Sequence, residues 1–116
     1  MTLTIPYRLP SAANLREHWA AKAKRVQEQR RVVTMFLGKY PRPDLPVTVK
    51  LTRIAPRALD GDNLQGAFKA VRDAVATWIG VPDNHPGVAW EYAQAKGKAK
   101  QYGIVIDVHP MTKEQP

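Results

Sequence analysis

Cysteine is absent from the 116-residue sequence, and long hydrophobic runs are absent as well. Without cysteine the chain has no disulfide, no thiolate nucleophile and no cysteine-ligated zinc, which suits a reducing cytoplasm. No segment approaches the roughly eighteen consecutive apolar residues of a membrane span, and the N-terminus has no basic region followed by a long apolar run. We therefore expect a cytoplasmic protein with no membrane partner.

Acidic residues are also scarce, since ten Asp and Glu stand against 18 Lys and Arg, for a net charge of +8. A protein with this charge attracts polyanions. No basic helix carries the exposed Trp, Phe and Leu face that an anchor at a membrane surface needs. Nucleic acid is therefore the expected class of partner.

The pattern of apolar residues predicts four strands and two helices. Alternating apolar residues are typical of half-buried strands, and apolar residues at three- and four-residue spacing are typical of amphipathic helices. The predicted strands are residues 2–9, 47–54, 88–94 and 102–108, and the predicted helices are residues 15–37 and 63–79. The short lysine-rich segment 96–100 is predicted to be the loop of a hairpin between the last two strands.

These elements predict one domain. At 13.0 kDa and 44% hydrophobic residues, the chain is long enough to bury a single core. The order β-α-β-α-β-β predicts an α/β (α+β) fold, in which two main helices pack on a small mixed sheet. We expect the domain to span residues 1–109 and a frayed tail to span residues 110–116.

Two carboxylates, Asp60 and Asp62, lie between a predicted strand and the second predicted helix. In an extended chain, residues separated by one point to the same side, with Cα atoms roughly 6.5 Å apart. Their carboxylates can therefore share one hard cation such as Mg²⁺. In the alternative interpretation, Asp62 is a helix N-cap that forms a capping box with Gln65. That alternative leaves Asp60 as a solvated turn residue.

A third carboxylate, Asp83, follows the second predicted helix in a turn flanked by proline and glycine. If the chain folds back, it completes a site with Asp60 and Asp62. Lys69 and Asp73 fall on the same helix face as Asp62 at 100° per residue.

A lysine at position 69 can offset charge on a phosphate. The alternative is an ordinary surface pair between Lys69 and Asp73, four residues apart on the helix. Asp73 lies roughly 16 Å along the helix axis from Asp62, which is too far for the same ion. We therefore expect Asp73 to be structural or to orient Lys69 or Arg72.

Three segments together resemble the RusA family of Holliday junction resolvases, which is common in bacteriophages and prophages. They are Asp60-Gly61-Asp62-Asn63-Leu64, then Lys69-Ala70-Val71-Arg72-Asp73-Ala74, and Asp83 after a helix end that contains tryptophan. The resemblance covers most of the chain, from Ile5 to Val108. It implies a homodimeric endodeoxyribonuclease that uses Mg²⁺, with Mn²⁺ as an alternative ion. Such an enzyme binds four-way DNA junctions and nicks paired strands symmetrically during recombination and repair in a bacterial cell.

The resemblance also assigns roles to individual residues. It implies that Asp60, Asp62 and Asp83 are the catalytic metal ligands and that Lys69 is the functional lysine. The family lysine follows Asn-Leu by one residue, a position held here by Gly66, so Lys69 replaces it only if about one helical turn is inserted. Asn84 stands where the family often has a second acid. Asn63, Arg72 and Asp73 are expected to have supporting roles.

The expected DNA contacts form three basic groups, although any one of these residues can instead be a solvated surface charge. They are Lys22, Lys24, Arg25, Arg30 and Arg31, then Arg53 and Arg57, then Lys96, Lys98 and Lys100. Two alternative functions remain open. One is a nuclease that acts on flaps or replication forks, and the other is a DNA-binding phage accessory protein without catalysis.

Overall fold

The computed structural model describes residues 1–11 and 18–111. Within these ranges the chain forms an α/β fold with a four-stranded mixed sheet and three helices, in the order β-α-β-α-α-β-β. The strands are β1 (Thr2–Ile5), β2 (Val47–Ala55), β3 (Val88–Lys96) and β4 (Gly103–Pro110), and the helices are α1 (Trp19–Leu37), α2 (Gly61–Ala67) and α3 (Lys69–Ile79). The predicted fold class is confirmed.

The sheet has the strand order β1-β4-β2-β3. β2 pairs with β3 in parallel and with β4 in antiparallel, and β1 pairs with β4 in antiparallel. The predicted hairpin is therefore wrong, because β3 and β4 lie on opposite sides of β2. The segment between them crosses the end of β2, where the Gly97 amide donates to the Ala55 carbonyl at 2.9 Å. A side chain at Gly97 would stand 2.8 Å from the Gln101 carbonyl, so the crossing requires glycine there.

The core lies between the sheet and the helices α1 and α3. Val49 and Leu51 of β2 are fully buried, as are Val71 and Val75 of α3. Phe68 is the largest fully buried side chain, and its ring lies 5.9 Å from the ring of Tyr92 on β3. Burial of these side chains supplies most of the stabilisation of such a fold.

The second predicted helix is divided into α2 and α3. Phe68 separates them with φ −89° and ψ 3°, and its amide donates to both the Leu64 and Gln65 carbonyls. The prediction of one continuous helix is wrong at this point. Apolar spacing continues unbroken through the division, since Leu64, Phe68 and Val71 are all buried. The pattern therefore indicates helix on both sides without showing the break.

Several boundaries differ from the predicted ones. β1 ends at Ile5, because the following Pro6 has no amide hydrogen for a sheet. α1 begins at Trp19. Its N-cap residue is His18, whose Nδ1 accepts from the Ala20 amide at 3.3 Å. The predicted helix start at residue 15 lies outside the described residues. β4 continues through Pro110, so the predicted tail is shorter, and residues 112–116 also lie outside the described part.

None of the helices in residues 1–11 and 18–111 is both long and apolar enough to cross a membrane.

Candidate active site and basic surfaces

Asp60 and Asp62, here called the acidic pair, lie beyond the carboxyl end of β2 at the start of α2. Asp60 is the N-cap residue of α2 with an extended backbone, φ −73° and ψ 165°, and its carboxylate makes no cap hydrogen bond. Only its carbonyl is used, accepting from the Leu64 amide at 2.9 Å. Asp62 lies in the first helical turn. The interpretation of Asp62 as the N-cap with Gln65 is therefore wrong, because the helix begins one residue before Asp62.

Both carboxylates of the acidic pair are exposed. Within the described residues, neither carboxylate forms a hydrogen bond or an ion pair. The N-terminal end of the α2 backbone carries partial positive charge, which favours a carboxylate at Asp62. Because Asp62 is already helical, the pair departs from the extended geometry predicted for it. Asn63, the residue after the pair, is half-buried.

The backbone beside the acidic pair is fixed to the sheet by an amide side chain. The Leu59 amide donates to Gln94 Oε1 at 2.7 Å, and Gln94 Nε2 donates to the Leu59 carbonyl at 2.6 Å. An amide offers both a donor and an acceptor, so it can pair with a backbone unit in this reciprocal way. The sequence prediction missed Gln94, and its place near the end of a strand was the only available signal.

Asp83 lies in the turn between α3 and β3, where it contacts an arginine of α3 and a tryptophan of β3. Arg72 Nε donates to Asp83 Oδ2 at 3.0 Å, and another Arg72 nitrogen donates to the Asp83 carbonyl at 3.1 Å. The same carbonyl accepts from Trp90 Nε1 at 2.8 Å. Arg72 also donates to Tyr92 Oη at 2.9 Å and lies 4.7 Å from the centre of the Trp90 ring. A supporting role for Arg72 was predicted from the sequence, but its pairing with Asp83 was not.

The environment of Arg72 favours the protonated, positively charged form of its side chain. Burial lowers the pKa of its guanidinium, but the hydrogen bond to Tyr92 and the nearby Asp83 carboxylate outweigh burial, so the pKa is raised. Arg72 therefore stays charged and binds the Oδ2 atom of Asp83.

Asp83 and the backbone beside the acidic pair contact β3 at different points along the strand. Leu59 is bonded to Gln94, whereas Asp83 is bonded to Trp90, four residues earlier on the same strand. Four strand residues span about 13 Å. Across residues 1–11 and 18–111, no three His, Cys, Asp or Glu side chains are grouped so that they could hold a metal ion. The acidic pair and Asp83 are thus separate features in this structure.

Asp73 pairs with neither of the residues expected for it. Its Oδ2 accepts from Arg30 on α1 at 2.8 Å, which joins α3 to α1. The alternative of a Lys69–Asp73 pair is therefore wrong, and Asp73 does not orient Arg72. The structural role predicted for Asp73 fits this contact. Arg30, a candidate DNA contact, is half-exposed and already has this partner.

Lys69 is exposed at the first position of α3. It lines a groove between α1 and the paired helices α2 and α3, together with Gly66, Asp73, Lys22 and Arg25. Lys69 and Asp73 share this groove, as predicted, but Asp62, which was predicted to lie on the same face, is not among the residues that line it. The groove is therefore a basic surface next to α2 rather than a part of the acidic pair.

The remaining basic residues of α1 and of the β3–β4 crossing are surface charges. Lys22, Lys24 and Arg31 are exposed on α1. Lys96 ends β3, and Lys98 and Lys100 follow it on the exposed crossing. Their positions leave these side chains free to meet an anionic partner.

Arg53 differs from the other candidate DNA contacts because it is buried, with 8% of its surface exposed. Its Nε donates to the Leu9 carbonyl at 2.9 Å, and Nη1 donates to the Arg57 carbonyl at 2.8 Å. Burial, followed by the nearby positive charge of Arg8, lowers the pKa of Arg53. The sequence carried a signal for this burial, since Arg53 continues the alternation of the buried Val49 and Leu51.

These observations define a small α/β domain with an exposed acidic pair at the carboxyl end of its central strand and with separate basic surfaces around it. No protein-family model matches the chain, and a search of curated proteins finds no match either. The similarity to a resolvase family consequently rests on the residues around Asp60, Lys69 and Asp83 alone.

Proposed function

We propose that this protein is a magnesium-dependent endodeoxyribonuclease that resolves Holliday junctions during DNA recombination and repair. The observation that carries the proposal is the acidic pair, which is exposed and unpaired among the described residues of a chain with net charge +8. The RusA-like spacing of the surrounding residues supports the choice of reaction and substrate.

Among the described residues, the acidic pair lacks the contact that most simply explains carboxylates at a helix start. A carboxylate at a helix start usually caps the helix by accepting from a backbone amide. Neither member of the pair does so. By contrast, Asp73 and Asp83 on the following helix and turn are each engaged by an arginine. A ligand role accounts for two adjacent carboxylates that the described part of the fold does not use.

The donor set of the acidic pair fits a hard divalent cation. Mg²⁺ takes oxygen ligands and is usually held by one or two carboxylates, with water completing its shell. Asp60 and Asp62 would hold it, and bound metal would supply Lewis-acid activation of water for phosphodiester hydrolysis. Asp83, the third ligand implied by the family resemblance, has one carboxylate oxygen already engaged by Arg72.

The chain's other residues would position the DNA. Gln94 holds the backbone next to Asp60 and so keeps the acidic pair at the end of the sheet. Lys69, with Lys22 beside it in the α1 groove, would contact backbone phosphates and offset their charge. A four-way junction has two equivalent scissile sites, so the proposed DNA-binding form of the protein is a two-fold homodimer.

Cleavage of a panel of DNA substrates tests the proposal. With Mg²⁺ present, we expect the protein to nick a fixed and a mobile four-way junction at symmetric sites and to leave duplex DNA intact. Cleavage of flaps or forks in preference to junctions would favour the alternative nuclease function. Binding of these DNAs without any cleavage, in Mg²⁺ or Mn²⁺, would instead favour the accessory DNA-binding protein.

DNA affinity is expected to fall steeply with salt, because Lys and Arg contacts to phosphates release counterions. Each phosphate contact adds about −0.9 to the slope of log affinity against log salt, so five contacts would give a slope of about −4.5. Replacement of Lys22 and Lys24 together by glutamine should make this slope shallower by about 2 units. Fluorescence anisotropy with a labelled junction measures the slope.

The matched control for the salt experiment is Gln27→Ala, a neutral change at an exposed position of the same helix. It should leave the slope unchanged. An affinity that stays constant between low and moderate salt would contradict binding through phosphate contacts.

A further inference from the structure

Three arginines converge on one cavity at the end of β2. The cavity has a volume of about 410 Å³ and is lined by Arg8, Arg53 and Arg57, with Ser11 and Tyr102 among its other walls. We call it the arginine cavity. Among the described residues that line it, none is acidic. The positive charges are therefore not neutralised by the described walls of the cavity.

Two of the three arginines of this cavity, Arg53 and Arg8, are held in place before any ligand arrives. Arg53 is anchored by its bonds to the Leu9 and Arg57 carbonyls, and its Nη2 atom has no partner among the described residues. The Arg8 guanidinium lies 4.7 Å from the centre of the Tyr102 ring. Guanidinium groups that are fixed in advance lose less conformational entropy when they bind an anion.

A second and independent feature of the cavity is a buried hydroxyl group without a partner. Ser11 is 7% exposed, and its Oγ forms no hydrogen bond with any described residue. A buried hydroxyl that lacks a partner destabilises a fold, so such groups are usually satisfied by protein, water or a ligand. Ser11 is also one of the residues that line the cavity.

We propose that the arginine cavity binds a phosphate group. Phosphate has several charged oxygens, which match three guanidinium groups and a hydroxyl better than the two oxygens of a carboxylate do. A backbone phosphodiester keeps two of these oxygens and one negative charge, so it and inorganic phosphate are both candidate ligands. Leu59 also lines the cavity and directly precedes Asp60, so a phosphodiester bound there would lie beside the acidic pair. The inference does not depend on the proposed cleavage activity.

An NMR titration of the full chain in phosphate-free, low-salt buffer tests this proposal. The probes are inorganic phosphate and dimethyl phosphate, and the signals followed are the Ser11 and Arg57 amides and the Arg53 Nε–H group. We expect saturable shifts of these signals with inorganic phosphate. Arg57→Gln should weaken the affinity about tenfold, which is the usual effect of one charged hydrogen bond. Ser11→Ala should weaken it less.

The variants and probes are chosen so that each result is decisive. Arg53 is left unchanged because it also binds two carbonyls of the fold. The matched control is Lys39→Gln, which removes one positive charge at an exposed position after α1 and should not alter the affinity. Saturation by dimethyl phosphate as well would support a DNA backbone ligand, whereas saturation by inorganic phosphate alone would support a free phosphate or monoester.

The proposal is overturned if inorganic phosphate causes no saturable shift at the cavity. It is also overturned if Lys39→Gln weakens binding as much as Arg57→Gln, since the effect would then reflect net charge. DNA cleavage is not the readout, so failure of the phosphate site and failure of the nuclease function are distinguishable.

Discussion

Asp60→Asn and Asp62→Asn are each expected to reduce magnesium-dependent nicking of a four-way junction by about 10²-fold or more. Asparagine keeps the shape of the side chain but removes the negative charge that holds the cation. A loss of 10²-fold corresponds to about 2.7 kcal/mol of transition-state stabilisation, which is within the several kcal/mol that a metal ion supplies. Single-turnover cleavage of a labelled junction measures the effect.

Two controls accompany these substitutions. Asp44→Asn makes the same change at an exposed position between α1 and β2 and should leave nicking unchanged. Junction affinity, measured with Ca²⁺ in place of Mg²⁺, should be retained in Asp60→Asn and Asp62→Asn, because removal of negative charge does not weaken phosphate contacts. Undiminished nicking by both variants would contradict the metal-site assignment.

Phe68→Ala is expected to lower the free energy of unfolding by about 3–5 kcal/mol. Phe68 is fully buried at the division between α2 and α3 and packs near Tyr92. Its removal leaves a cavity under the helices that present the acidic pair and Lys69. Urea denaturation followed by circular dichroism measures the change.

The control for this substitution is Trp19→Ala, since Trp19 is also aromatic but is 76% exposed at the start of α1. It should change the free energy of unfolding by no more than about 0.5 kcal/mol. Equal effects of the two substitutions would contradict the packing described for Phe68.

The predicted elements were confirmed where a local pattern carries the information. Alternation in β2 and three- and four-residue spacing in α3 are both visible in the sequence because each reflects one buried face. The pairing of strands is not local. Nothing in the segments around Val88 or Gly103 shows that β2 lies between β3 and β4. A short connection favoured a hairpin, and the sheet topology shows a crossing instead.

The sequence indicated the acidic pair and the basic groups as candidate residues, but it did not indicate which residues pair across the fold. Arg72 and Asp83 are 11 residues apart, and Arg30 and Asp73 are 43 apart. Such contacts depend on how α3 packs on α1 and β3, which no local pattern specifies. Arg53 is a different case. Its position two residues after Leu51 in β2 indicated the buried face, whereas its charge suggested exposure.

The most direct measurement is calorimetric titration of the protein with Mg²⁺ and with Mn²⁺. We predict saturable binding by the unmodified chain and by Asp44→Asn, and loss of that binding when Asp60 and Asp62 are both replaced by asparagine. Absence of binding in the unmodified chain, or binding that survives the double replacement, would contradict a metal site at the acidic pair.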